Sequence, residues 1–489
     1  MLNRAYRQFA TRICILANSR KADRVGAGLM SQLKAKSGDS LEIIGAGGEL
    51  MQEQGLQPFY DTSIFHPKPF VPFRSVLIEE NNWWIWTKYH PATRNYTKPM
   101  HDVLDLIKKN NIVEQIQQHK PSLVLTIDHD ILSFKIHRQI SDLYKVSAMS
   151  KPKQVHYGRF CNRYKPYQMD YLDHVLYTNP IEKSNWNFFK FPSTYIGQSS
   201  FEKAYRFLLE RNGGDHLLTS DSVFVNRDHF YSETEQYIEA ERSHFRKKFE
   251  IPENATVLFL APGNEKGEIS WSLPILNETA NNFVKEYSKP YSNRLDSQPN
   301  DHFSVVIPVE KRVKKQIESK VKELNWACKV LTVEEDDVRS AQAGSDLAIC
   351  YNGDIVTENL VNQLSTIVIQ NMKKVEFYFM LSWNRFTNEA NIIADGNLFP
   401  EIIEGQCHAE KLNELLTTWY ENPAHKFWPL QGFEMYIHSF LPVKSKDMGM
   451  GTHHEYFSPD YLATQTLLEL AQQTPYKDYS EDNLLLHDN

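Results

Sequence analysis

The sequence predicts an α/β protein of two Rossmann-like domains, each a parallel sheet covered by helices. Three observations predict it. Short unbroken apolar runs alternate with segments of helical period, which is how strands buried on both faces read when helices cross between them. The alternation occurs twice, over 13–200 and 251–425, separated by a polar stretch, 201–250. In the second run, Val257-Leu258-Phe259-Leu260-Ala261 ends in Pro262-Gly263 before a helix, the form of a strand that leaves a sheet at a ligand-binding corner.

In chain order, Ile13–Ala17 reads as the first buried strand. Val25–Lys36 has apolar residues at helical spacing, and Leu41–Gly45 is a second strand, so a strand–helix–strand crossover opens the first domain. The glycines at 45–48 do not form G-x-G-x-x-G where a dinucleotide fingerprint requires it. Residues 59–99 are rich in aromatics and proline, with Trp83-Trp84-Ile85-Trp86 read as a patch that packs on the core or a partner. A helix spans 101–119. Leu123–Asp128 is a strand with Asp128 at its C-terminal end, where ligand-contacting residues of such sheets sit. His129 and Asp130 follow, an acid/base grouping set against the plainer reading of an exposed strand end. Strands at 155–157, 174–177 and 194–197 complete the domain. The stretch 201–250 reads as insertion and linker with one helix, 232–249.

The second domain repeats the alternation. Strands are expected at 257–260, 303–308, 328–331, 347–351 and 366–369, with helices at 273–287, 309–324, 338–343 and 355–363. Residues 426–489 read as an insertion, a last helix returning to the first domain, and an acidic tail.

Composition excludes several classes. The chain is 41% hydrophobic and 24% charged with net charge −7, so it has a globular core and no nucleic-acid surface. No run approaches a membrane span. Five scattered cysteines without C-x-x-C spacing argue against a zinc site or disulfide framework, and no metal or cofactor is expected. Residues 1–12 carry Arg4, Arg7 and Arg12, and no acid precedes Asp23, which reads as a mitochondrial targeting segment.

The ordered set of segments resembles the lipid-A-disaccharide synthase family, glycosyltransferases of the GT-B fold. It comprises Asp23–Leu29, Ile44–Gly48, His156-Tyr157, Asn179–Lys183, Tyr195–Gly197, Leu260–Gly263, Val306–Pro308, Gly353 with Glu358, Asn391–Ile393 through Pro400-Glu401, and Leu467–Gln472. The resemblance implies an acceptor-side and a nucleotide-sugar-side domain facing a cleft. It also implies transfer of an acylated glucosamine from a UDP donor to a lipid-like acceptor. Carried over residue by residue, it makes Gly263, Asn264, Lys266, Gly353, Glu358 and Asn391 vestigial nucleotide-sugar contacts, and leaves Asp128 and Asp130 as the bases of an active enzyme.

The sequence departs from the family pattern at the loops. The family's G-E-A-S-G-D is Asn18–Asp23 here, D-x-x-D meets Ile131, and Gly-His becomes Gly197-Gln198. At the P-G-S-R corner the arginine is Glu265, and the Gly-Thr turn carries Asp354. Losing a guanidinium removes a bidentate phosphate clamp, and a carboxylate in its place repels phosphate. The preferred reading is a non-catalytic family member, kept as an accessory subunit of a mitochondrial assembly in the matrix or on the matrix side of the inner membrane. A respiratory complex or ATP synthase fits better than the mitoribosome, with lipid contact and no nucleic acid. The alternative is an active glycosyltransferase.

Overall fold

The computed structural model describes residues 11–17, 19–59, 111–127, 130–145, 150–158, 170–211, 222–288, 302–371, 386–422, 424, 439–447 and 452–472. The chain divides into two compact units, Met1–Gly197 with Ser458–Asn489, and Gln198–Phe457.

The first unit holds a six-stranded parallel sheet in the order β2-β1-β3-β4-β5-β6. Its strands are β1 (Thr11–Ala17), β2 (Leu41–Ala46), β3 (Leu123–Ile127), β4 (Lys153–Gly158), β5 (His174–Tyr177) and β6 (Ser193–Tyr195). Every residue of β3 is buried, as its unbroken apolar run requires. The crossing helices are α1 (Arg20–Ser37), α2 (Glu49–Glu53), α3 (Ile112–His119), α4 (Asp130–Lys145) and α5 (Lys183–Phe188). β1 starts at Thr11, inside the stretch read as a targeting segment, and Arg12 pairs with Glu42 of β2. Trp83–Trp86 lies outside the described residues.

The second unit holds another six-stranded parallel sheet, β10-β9-β8-β11-β12-β13. Its strands are β8 (Thr256–Ala261), β9 (Phe303–Pro308), β10 (Lys329–Val333), β11 (Leu347–Tyr351), β12 (Thr366–Gln370) and β13 (Glu401–Ile403). The helices are α6 (Ser199–Arg211), α7 (Arg227–Lys248), α8 (Lys266–Tyr287), α9 (Lys314–Glu323), α10 (Glu335–Gly344), α11 (Asp354–Val361), α12 (Glu389–Ala394) and α13 (Ala409–Glu421). After β10 the chain returns to place β11 on the other side of β8. The strand order therefore reverses between β8 and β11, where open α/β sheets bind ligands.

Three expectations are corrected. The stretch 201–250 is not a linker: α6 and α7 belong to the second unit, and Phe201, Tyr205 and Phe245 are buried in its core beside Phe259 and Val356. The stretches read as separate insertions on either side of the second sheet instead join each other. β7 (Ser222–Asn226), β14 (Val443–Asp447) and β15 (Thr452–Phe457) form an antiparallel sheet in the order β14-β15-β7. Finally, α8 begins at Lys266 rather than 273, because a capping box formed by Glu265 and Glu268 starts the helix ahead of Pro274.

The expected return of the last helix is observed. α14 (Pro459–Gln472) buries Ala463, Leu467 and Leu470 in the first unit's core with Leu29 and Leu33 of α1.

Candidate functional site

In the second sheet, neighbouring parallel strands β8 and β11 pair Leu260 with Ile349 and Ala261 with Cys350. Their C-terminal ends therefore deliver the turns 262–266 and 352–354 to one edge. Gly263 adopts φ +96°, and a Cβ there would sit 2.6 Å from Glu268 Oε2, so glycine is required by the close approach of that carboxylate. Glu268 Oε2 accepts from the backbone N–H of Asn264 at 2.9 Å and of Glu265 at 3.0 Å. These amides head the helix and are the donors that favour an anion in such a corner. Here the anion they bind is the protein's own carboxylate.

Glu265, at the position of the family's arginine, accepts from Arg312 Nη2 at 2.7 Å, and the same nitrogen donates to the Asn264 carbonyl at 2.9 Å. Arg312 lies between β9 and α9, so it reaches the corner from the other neighbour of β8. The corner thus carries two carboxylates and one guanidinium already paired to one of them. Lys266 is exposed, and its carbonyl accepts from Gln316.

On the β11 side, Gly353 caps α11 in extended backbone, with Asp354 in the first turn and Glu358 one turn on. A Cβ at Gly353 would meet nothing closer than 4.0 Å, so packing does not demand glycine there. Asn391 is not brought to this edge as an open ligand contact. Fully buried in α12, it donates to Glu401 Oε1 at 2.7 Å and to the Phe399 carbonyl at 2.8 Å, and accepts from Phe399 N–H at 2.9 Å. Glu401 Oε1 also accepts from Asn388 N–H at 2.9 Å. Asn391 is therefore a staple of the turn between α12 and β13.

The first unit shows the same inward use of polar groups. The Asp23 carboxylate accepts from the amides of Gly48 at 2.7 Å and of Leu50 and Met51 at 3.1 Å, capping α2. A Cβ on Gly48 would fall 2.6 Å from Asp23 Oδ2, and one on Gly47 would fall 2.5 Å from Met51 Sδ, which explains the glycine pair. Ser19 accepts from Ala22 N–H at 3.0 Å as the N-cap of α1. Asp128 lies outside the described residues. Asp130 opens α4, and its side chain also lies outside them. Behind this edge Thr126 Oγ1 stands 2.8 Å from both His137 Nε2 and His156 Nδ1, and His137 Nδ1 is 3.0 Å from Gln154 Oε1. All four side chains are fully buried, and burial, reinforced by His156, pushes the His137 pKa down to about 3. In the second unit Gln198, at the position of the family's histidine, is buried and donates to Glu389 at 3.0 Å.

Sequence reasoning missed Glu268, Arg312 and His137. Glu268 was legible: an acid three residues after the helix cap is the capping-box signal. Arg312 and His137 lie in other elements and needed the fold. Among the described residues no group of three or more His, Cys, Asp or Glu could hold a metal ion.

Residues 229–426 match the family model for lipid-A-disaccharide synthetase. The chain is 21% identical to the lipid-A-disaccharide synthase of Rhodospirillum centenum, covering 82% of each chain. It is similar to the lipid-A-disaccharide synthase family. A probable mitochondrial lipid-A-disaccharide synthase of Arabidopsis thaliana is 20% identical over 94% of this chain and 91% of the plant protein. A UDP-GlcNAc 2-epimerase from Neisseria meningitidis, solved with UDP-GlcNAc, superposes with TM-score 0.50 at 11% identity, covering 94% of this chain and 99% of the epimerase. The fold is GT-B.

Proposed function

We propose that this synthase-family chain is non-catalytic and serves as a structural accessory subunit of a mitochondrial complex on the matrix side of the inner membrane. One observation carries the loss of catalysis. At the strand-order reversal of the nucleotide-sugar-side unit, the helix-heading amides are bound by Glu268, and the family's arginine is a carboxylate paired to Arg312. Diphosphate binding there would require dislodging one carboxylate from two amides and meeting a second, with the exposed Lys266 as the turn's one cation in place of a bidentate guanidinium. The Asp23 cap and the Asn391 staple support the same reading, since retained family residues serve the scaffold. The arginine-rich, acid-free start and the mitochondrial plant relative support the location. The net charge of −7 supports protein rather than RNA partners.

The subunit role is tested by native purification from mitochondria. The chain is expected in a larger assembly at fixed stoichiometry, and recovery only as a free dimer contradicts it.

A second reading, a glycosyltransferase moving a UDP-linked acylglucosamine to a lipid-like acceptor, draws on two observations. Gly353 is a glycine that packing does not require, as a close ligand would need, and Arg312 brings a guanidinium back to the corner. Asp128 or Asp130 would then act as base.

A further inference from the structure

We infer that β7 is a self-pairing edge, through which the second unit joins a second copy of this chain by an antiparallel strand contact. The three-stranded sheet β14-β15-β7 has two outer strands. β15 pairs with β14 from Val443↔Tyr456 to Asp447↔Thr452, and with β7 from His453↔Asn226 to Phe457↔Ser222, so the middle strand is used on both sides. Among the described residues no strand pairs with the far side of β14 or of β7. An outer strand presents a row of backbone N–H and C=O groups, and sheets that meet water guard that row, often with lysine.

The two edges differ in that respect. β14 reads Val443-Lys444-Ser445-Lys446-Asp447, three charges in five residues, and Lys444 is exposed. β7 reads Ser222-Val223-Phe224-Val225-Asn226, with no charge, no proline and no glycine, and its central residues have high strand propensity. It is an edge built to be covered rather than to face water.

The order of residues commits the cover to a second copy. A two-fold contact needs a surface complementary to itself. β7 has the same pattern from either end: polar, valine, phenylalanine, valine, polar. An antiparallel pair centred on Phe224 sets Phe224 opposite Phe224 of the second copy, Val223 opposite Val225 and Ser222 opposite Asn226. In sequence the strand is bracketed by Asp221 and Arg227, so the same register brings an acid of one copy level with a base of the other at both ends. A parallel copy in register would set like charges level instead. The contact lies in the second unit and does not depend on whether the nucleotide corner is closed. Within a larger assembly it brings the chain in as two copies.

Sedimentation and disulfide trapping of the full chain test the inference. Wild type is expected to sediment as a concentration-dependent dimer, because a five-residue ladder is small beside the about 800 Å² per partner of a tight interface. Phe224→Lys sets like charges directly opposite and is expected to weaken dimerisation at least about tenfold. On mild oxidation with copper–phenanthroline, Phe224→Cys is expected to cross-link, since opposite residues of an antiparallel pair have Cβ atoms about 5 Å apart. Ser222→Cys is expected to stay at the wild-type background, and Ser222→Cys/Asn226→Cys to cross-link. Thermal melts identify any variant that misfolds, and those that melt as wild type does are compared; the sedimentation of wild type needs no variant. Wild type that stays monomeric up to about 100 μM overturns the inference. So does a dimer that Phe224→Lys leaves intact, or cross-linking of Ser222→Cys equal to that of Phe224→Cys. A monomeric chain whose β7 edge is closed by another subunit of its native assembly contradicts it too, because the cover is then a different strand.

Discussion

Glu268 satisfies two backbone amides, whereas Arg312 meets a side chain that is itself near the surface, and the difference ranks the interactions of the corner. Glu268→Ala leaves the Asn264 and Glu265 N–H groups without their carboxylate and is expected to cost about 1–2 kcal/mol, as other lost caps do. Arg312 and Glu265 are 40% and 43% exposed, so Arg312→Ala is expected to cost less than about 1 kcal/mol. Urea unfolding of the two variants checks the order, and an equal or reversed ranking contradicts it. The buried histidines predict a pH dependence. Burial holds His137 down to about 3, and holds His174 down to about 4 with Asp173 opposing the shift, both from 6.5. Unfolded imidazoles take up protons below about 6.5 while the folded ones do not, so this stability is complete above that pH. It falls as pH drops toward the folded values, at about 1.4 kcal/mol per pH unit for each histidine. His137→Gln is expected to remove one proton's worth of that slope in urea titrations between roughly pH 6 and 5. An unchanged slope would show that His137 is not held neutral.

At the scale of elements, α7 is the clearest case of a helix whose role the sequence conceals. Its charge-rich stretch reads as a linker, but one arginine on it is among the most heavily bonded side chains in the second unit. Arg246 is 3% exposed and donates to the carbonyls of Gly344, Pro252, Glu253 and Ala255 and to Asp346. Asp346 in turn accepts from Val257 N–H at 2.8 Å, so the clasp joins α7 to the start of β8 and to the approach to β11. Arg246→Met leaves these acceptors and a carboxylate without a donor and is expected to cost about 3–5 kcal/mol. Arg246→Lys is expected to recover only a part, since one ammonium cannot span the set. Denaturant midpoints decide; a cost under about 1 kcal/mol for Arg246→Met contradicts the clasp. The pairing of β7 with β15 was equally hidden, because no local pattern reports that two stretches more than two hundred residues apart share a ladder.

For the whole molecule, what was legible followed from period and punctuation. Unbroken apolar runs such as Leu123–Ile127 and Val257–Ala261 became central strands, and the glycine-marked turns after β8 and β2 sit at strand ends. The likeness to the family was legible because many weak segments fall in one order, at an overall identity of 21% to a bacterial synthase. The site was legible only by position. That Asn391 and Asp23 serve the fold depends on partners such as Phe399, Glu401 and Gly48, which sequence spacing does not reveal. The central claim is that the nucleotide corner is closed by the chain's own carboxylates. Isothermal titration of the full chain with UDP and UDP-N-acetylglucosamine tests it most directly. The account predicts no saturable heat for either ligand through the millimolar range, and micromolar binding of either would contradict it.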